Sequence, residues 1–249
     1  MFQGFMAMMT SKGGDASSPV AGPSTQILAT QPASLKGYWK CSEAASAPGL
    51  VDSSGNGNTM ALTGAAGTDY NLAQAGETGN AIQFLGGAGY AGIGSNLVNT
   101  DMGAQDFTIF AMVKTSSATV HTFAGFCNPS TFSRILLQAV AVSGNLLGYA
   151  EHGGDATYQP TGAPTVTNGA WYDVCFTRAA NVWTVYTNAT SVGTVSGGFT
   201  GVVTIAGTYI GTNLDAVGPR EAFTGLIQHV AIWSVALSGA EITAIHAAR

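Results

Sequence analysis

From residue 35 onward the chain is written in short runs of alternating apolar and polar residues, separated by clusters of Gly, Asn, Ser and Pro. Alternation with period two sends successive side chains to opposite faces of an extended strand, so this pattern predicts antiparallel β-strands. The clearest run is 106–114. There Phe107, Ile109, Ala111 and Val113 share one face, and Thr108, Phe110, Met112 and Lys114 share the other. Both faces carry apolar groups. Further strands are expected near 81–85, 134–142, 146–150, 171–178, 182–187, 202–211 and 226–233. No helical pattern separates them, which excludes parallel α/β crossovers and leaves an all-β fold of two stacked antiparallel sheets.

One helix is predicted, at the C-terminal end. Ser238 and Glu241 stand three apart as a capping box, Leu237 and Ile242 are placed as a hydrophobic staple, and the helix runs to about Ala247. Ile242 and Ile245 give it one narrow apolar stripe, enough to lie against the sandwich. Residues 10–26 are rich in Ser, Gly and Pro and cannot bury enough apolar surface to offset the entropy of ordering them. Residues 1–34 are therefore expected to form an extended N-terminal arm, and 35–249 the sandwich domain. The tip of the arm carries Phe2, Phe5, Met6, Met8 and Met9, expected to bury in grooves of a partner subunit.

Composition narrows the functional classes. Charged residues make up 8% of the chain, against roughly 25% in ordinary soluble domains. The net charge is −5 and there is no basic run, so neither nucleic acid nor an anionic membrane surface is an expected partner. The longest apolar stretches are strand-sized, well short of the about 20 residues of a membrane span. The apolar start lacks the basic flank of a secretory leader. Cys41, Cys127 and Cys175 are an odd number without Cys-x-x-Cys spacing, which favours buried free thiols over a disulfide framework or a zinc site. Trp39, Trp171, Trp183 and Trp233 all fall in expected strands, where packing is the ordinary role. Glu151-His152-Gly153-Gly154-Asp155 gathers three possible ligands for a cation or a hydroxyl on one loop, although Gly and Asp are also ordinary turn residues. No nucleophile elbow and no local Cys–His pair is present.

Five segments, in order, resemble the laminin-G-like jelly-roll modules of the concanavalin A-like lectin/glucanase superfamily. Tyr38-Trp39-Lys40-Cys41-Ser42-Glu43 is similar to an opening aromatic-Trp strand, and Asp52-Ser53-Ser54-Gly55-Asn56-Gly57-Asn58 to a D-x-S-G-N-G-N turn. Gly79 to Phe84, Asp106 to Lys114 and Trp171 to Arg178 resemble three later strands. Phe223 to Trp233 with Ala236 to Ile242 follows the closing strand and helix.

The resemblance implies a jelly-roll sandwich. Hydrolases of the superfamily carry Glu-x-Asp-x-(x)-Glu on one strand, and the scattered Glu43, Glu77, Glu151, Glu221 and Glu241 do not supply it. No enzyme is expected. Calcium-binding relatives imply Asp52 and Asn56 as candidate metal ligands. Where such relatives read Ile-Asp-Glu-Val, this chain has Ile227-Gln228-His229-Val230, which replaces two carboxylates by poorer calcium ligands. Two functions are expected. The first is a structural protein of a large assembly: a phage or viral capsid decoration (cement) or fibre protein in the virion, oligomeric and anchored by its arm. The alternative is an extracellular or receptor-binding lectin-like module that binds glycan.

Overall fold

The structure is a computed structural model that describes residues 22–95, 97–98, 104–153, 157–199 and 203–249. It begins with helix α1 (Pro23–Ala29), followed by β1 (Leu35–Trp39), β2 (Gly49–Leu50), β3 (Met60–Thr63), β4 (Tyr70–Ala75), β5 (Asn80–Leu85) and β6 (Tyr90–Ile93). Next come the long strands β7 (Phe107–Lys114), β8 (His121–Asn128), β9 (Ser133–Ala139) and β10 (Asn145–Glu151). The chain continues through β11 (Thr161–Thr165), β12 (Trp171–Ala179), β13 (Val182–Thr187), β14 (Thr190–Ser196) and β15 (Gly207–Ile210). It closes with β16 (Asn213–Asp215), β17 (Gly218–Arg220), β18 (Thr224–Trp233) and helix α2 (Gly239–Ala247).

Two sheets result. The first has the order β14-β13-β12-β7-β18-β5-β4, with β1 also paired to β18. The second has the order β11-β10-β9-β8-β15-β6-β3-β2, and β16 with β17 forms a separate hairpin. This is the two-sheet antiparallel jelly-roll sandwich, with its short C-terminal helix. No helix among the described residues is long and apolar enough to cross a membrane.

The split face of β7 explains the layering. Phe107, Ile109, Ala111 and Val113 enter the core between the sheets, where they meet Phe126, Ile135, Leu137, Phe176, Trp183 and Ile232. Phe110 and Met112 point outward, yet they are also buried, in a second cluster with Ile27, Tyr38, Cys175, Trp233, Ile242 and Ile245. The two helices supply that second cover, so the outer face of the first sheet is dry where they lie. In α2 the Ser238 side chain accepts from Glu241 N–H while Glu241 reaches back to the Ser238 N–H, closing the capping box.

Four expectations are corrected. Residues 22–34 are not extended, because Pro23–Ala29 is helical. Proline at the first helical position is preorganised for a helix start, Ile27 is fully buried, and the Trp233 indole N–H donates to Thr30 O at 2.8 Å. Trp233 itself fills this outer cluster and not the inter-sheet core. The expected strand at 202–211 is paired only over Gly207–Ile210, and that at 134–142 stops at Ala139. Beyond it Val142 turns to a positive φ of 67°. Cys41, Cys127 and Cys175 are free and buried.

Candidate functional site

Among the described residues no helix covers the outer face of the second sheet. Strand register sets Ala61, Gly92, Tyr209, Gly125, Leu136 and Tyr149 opposite one another across β3, β6, β15, β8, β9 and β10. Their side chains leave the core on the outer side, since Ala91, Ile210, Ala124, Leu137 and Ala150 face inward. With neighbouring strands about 4.8 Å apart, Tyr209 and Tyr149 stand roughly 14 Å from each other along this row.

Glycines shape the surface around Tyr209. A Cβ on Gly92 would come within 2.8 Å of its ring, and one on Gly207 within 2.4 Å of its hydroxyl. The ring therefore lies down along the sheet over space that only glycine leaves free. Tyr90 packs against it edge-on, with centroids 6.0 Å apart at 72°. Tyr90, Tyr209 and Tyr149 are all partly exposed.

Polar groups border the rings. Arg134 Nε and Nη2 donate to Glu151 Oε2 at 2.9 and 2.6 Å, and the Tyr149 hydroxyl donates to the same oxygen at 2.9 Å. The guanidinium also sits 5.4 Å from the Tyr149 ring centroid. Burial, then the bond to Glu151, pushes the Tyr149 phenol up to about 12. Nearby, Glu221 holds a positive φ of 51° at the base of the β16–β17 hairpin. Its carboxylate accepts from the Gln138 amide and from the Thr122 hydroxyl at 3.3 Å. Asn213 joins this group by accepting from the Cys127 thiol at 3.2 Å. The hairpin is thereby pinned onto the sheet, and Leu136 beneath is fully buried. Both carboxylates are hydrogen-bonded within the protein, and the described surface offers stacking rings with hydrogen-bonding edges.

Of the residues singled out from sequence, Glu151 lies at this surface, and the others described below do not. Phe2, Phe5, Met6, Met8 and Met9 lie outside the described residues, as do Gly154 and Asp155. Asp52 accepts the backbone N–H groups of Tyr38, Ser54 and Asn58 at 3.0, 2.8 and 2.9 Å. Burial opposes its ionisation, but these bonds prevail and hold the carboxyl below its usual range. Asn56 donates to Leu35 O at 2.8 Å. Both thus brace the 52–58 turn against β1. His152 Nδ1 is 2.7 Å from the Ser133 hydroxyl. Among the described residues no group of three or more His, Cys, Asp or Glu is placed to hold a metal ion.

Gln228 and His229 occupy a bulge where the register of β18 on β7 shifts. The Gln228 amide donates to Thr78 O and Asn80 O at 2.9 and 2.8 Å and accepts from the N–H groups of Glu77 and Thr78 at 3.2 and 3.4 Å. His229, with φ 53°, meets the Tyr38 hydroxyl at 2.7 Å and the Thr78 hydroxyl at 3.2 Å. A single amide thus clasps the 76–80 loop with four hydrogen bonds.

A laminin-G family profile, described as the concanavalin A-like lectin/glucanases superfamily, matches residues 85–243. The chain belongs to this superfamily. Among solved structures, this superfamily member superposes on domain 4 of AbnA, a GH43 extracellular arabinanase from Geobacillus stearothermophilus solved with arabinotriose. The TM-score is 0.68 at 20% identity, over 86% of this chain and 98% of that one. Botulinum neurotoxin type C gives 0.66 at 14% identity over 88% of this chain and 52% of the other. The binding domain of Paraclostridial Mosquitocidal Protein 1 gives 0.62 at 14% identity, over 86% and 52%. The chain thus spans about half the length of the two toxin chains. These likenesses show the fold. No curated protein matches the chain.

Proposed function

We propose that the chain is a glycan-binding module that holds a saccharide on the outer face of its second sheet, with Tyr209 as the stacking platform. The observation that carries the reading is the Tyr209 ring laid on the sheet between Gly92 and Gly207. A flat, partly exposed aromatic face can pack against the C–H face of a sugar, while neighbouring donors and acceptors meet its hydroxyls. Two structural neighbours agree with this reading, since AbnA domain 4 was solved with arabinotriose and cell entry of botulinum neurotoxin type C depends on two ganglioside molecules. Such a module works outside the cell or at a cell surface and performs no catalytic step. Tyr209→Ala should weaken glycan binding by at least tenfold, about 1.4 kcal/mol, in titration calorimetry with the best ligand from a glycan array. Its circular dichroism should match wild type. Unchanged affinity in this variant would remove the assignment.

A second reading, a particle-associated structural protein, is favoured by α1. Docking of Pro23–Ala29 on the sandwich fixes the point from which residues 1–21 depart, as an anchoring arm requires. A variant lacking residues 1–21 should fold and lose incorporation into its assembly. Wild-type occupancy would leave the glycan reading alone.

A further inference from the structure

We propose a second binding site, for an acidic sugar, in a cleft on the outer face of the first sheet, with Lys114 as the group that receives the carboxylate. This inference deepens the glycan reading by naming the ligand class, and it rests on that reading for the sugar portion alone.

The cleft lies where the end of β7 meets the start of β18, beyond the edge of the cover formed by the two helices. Its volume is about 290 Å³, close to the lower end of ordinary small-ligand pockets. Lys114 is its one charged lining residue, and the hydroxyls of Thr115, Ser116, Ser117 and Thr224 with the Gln83 amide supply most of the remainder.

The ion pairs elsewhere make Lys114 informative. Arg134 pairs with Glu151, Arg178 with Asp106, Arg220 with Asp215, and Arg249 with Glu77. Thus every arginine among the described residues has a carboxylate partner, whereas none of the described lysines, Lys36, Lys40 and Lys114, forms an ion pair there, and of these three only Lys114 lines the cleft. On the same face of the sheet, Asp173 stands opposite Met112, two residues from Lys114 along β7. It is already taken by His246 at 2.5 Å and by Arg249 at 3.4 Å. In a chain with so few charges, an unpaired ammonium in a hydroxyl-lined cleft has no internal anion to neutralise it, and an incoming carboxylate would be both hydrogen-bonded and charge-matched.

The other lining groups suit the rest of a sugar. The Gln83 carbonyl oxygen accepts from the Asn71 amide at 3.1 Å, so what this side chain has left to offer a ligand is its N–H donors. The Thr115 hydroxyl donates to Thr224 O at 2.6 Å and ties the two walls together. Gly225 keeps the strands close, since a Cβ there would fall 2.3 Å from Lys114 O. The cleft is thus a singly cationic recess of monosaccharide size with hydroxyls and an amide in its walls.

The test uses the full chain and three probes in NMR titrations: glucuronate, methyl glucoside and acetate. Glucuronate should shift the backbone amides of Lys114, Thr115, Ser116 and Leu226 and bind at least tenfold more tightly than methyl glucoside. Lys114→Met should abolish that preference, while Tyr209→Ala, on the opposite face, should leave it intact. Equal binding of glucuronate and methyl glucoside, or glucuronate shifts unchanged in Lys114→Met, would overturn the site. Acetate as tight as glucuronate would overturn the sugar class. Loss of array binding in Tyr209→Ala with the Lys114 preference preserved separates the two surfaces, so either assignment can fail without the other.

Discussion

Gln228→Ala should destabilise the folded chain by about 3–5 kcal/mol, an effect at the top of the range for a single substitution. Gln228 is fully buried, and its amide bonds Thr78 O, Asn80 O and the N–H groups of Glu77 and Thr78. Truncation would break all four bonds, each worth about 0.5–1.5 kcal/mol net, and would leave a cavity where the side chain was packed. Thermal unfolding should show the midpoint falling by about 10 °C. The charge-changing variant Gln228→Glu keeps the volume but turns an oxygen toward two carbonyl oxygens. It should be comparably destabilised in chelator and partly rescued by calcium, because a carboxylate with two carbonyls is a hard-cation ligand set. Wild-type stability should move little with chelator. A Gln228→Ala protein within about 0.5 kcal/mol of wild type would show that the loop does not depend on this clasp.

The second large effect is on acid stability. Burial, with Lys40 adding repulsion, pulls the His229 imidazole down from 6.5 to about 4. The unfolded chain therefore binds a proton that the folded chain refuses between these values. Stability from this group is complete above about pH 6.5 and is lost as pH falls toward 4, by about 3 kcal/mol in all. Asp173 acts in the opposite sense, because burial raises its carboxyl despite Arg249 and His246, so the native state gains a proton there on acidification. His229→Asn isolates the imidazole, since asparagine tolerates the positive φ of 53° and can still bond Tyr38. Urea midpoints from pH 7 to 4.5 should fall steeply in wild type and clearly less in the variant. Parallel slopes would exclude His229 as the source.

The parts of the fold legible in the sequence are those with a local physical signature. The double apolar pattern of β7, the Ser238–Glu241 capping box and the Asp52–Asn58 turn each depend on residues within a few positions of one another. The strands that were missed lack contrast. β11 and β14 are largely exposed at sheet edges, and β8 breaks its alternation at a bulge between Thr122 and Ala124. Helix α1 has a proline start but a single fully buried apolar residue, and it owes its form to Trp233 and α2. The candidate sites were less visible still. The Tyr209 platform needs Gly92, which is brought beside it only by the β15–β6 register, and the Lys114 cleft draws on segments more than 100 residues apart.

The two helices also fix how this sandwich can be carried. Gln31, just after α1, donates to Glu241 in α2 at 2.5 Å, so the entry and exit strands of the fold, paired as β1 and β18, leave from one side. A unit whose ends lie together can be spliced into a host protein as a cassette without stretching the host. Mounted that way, its tyrosine-bearing sheet would lie on the side away from the packed helices.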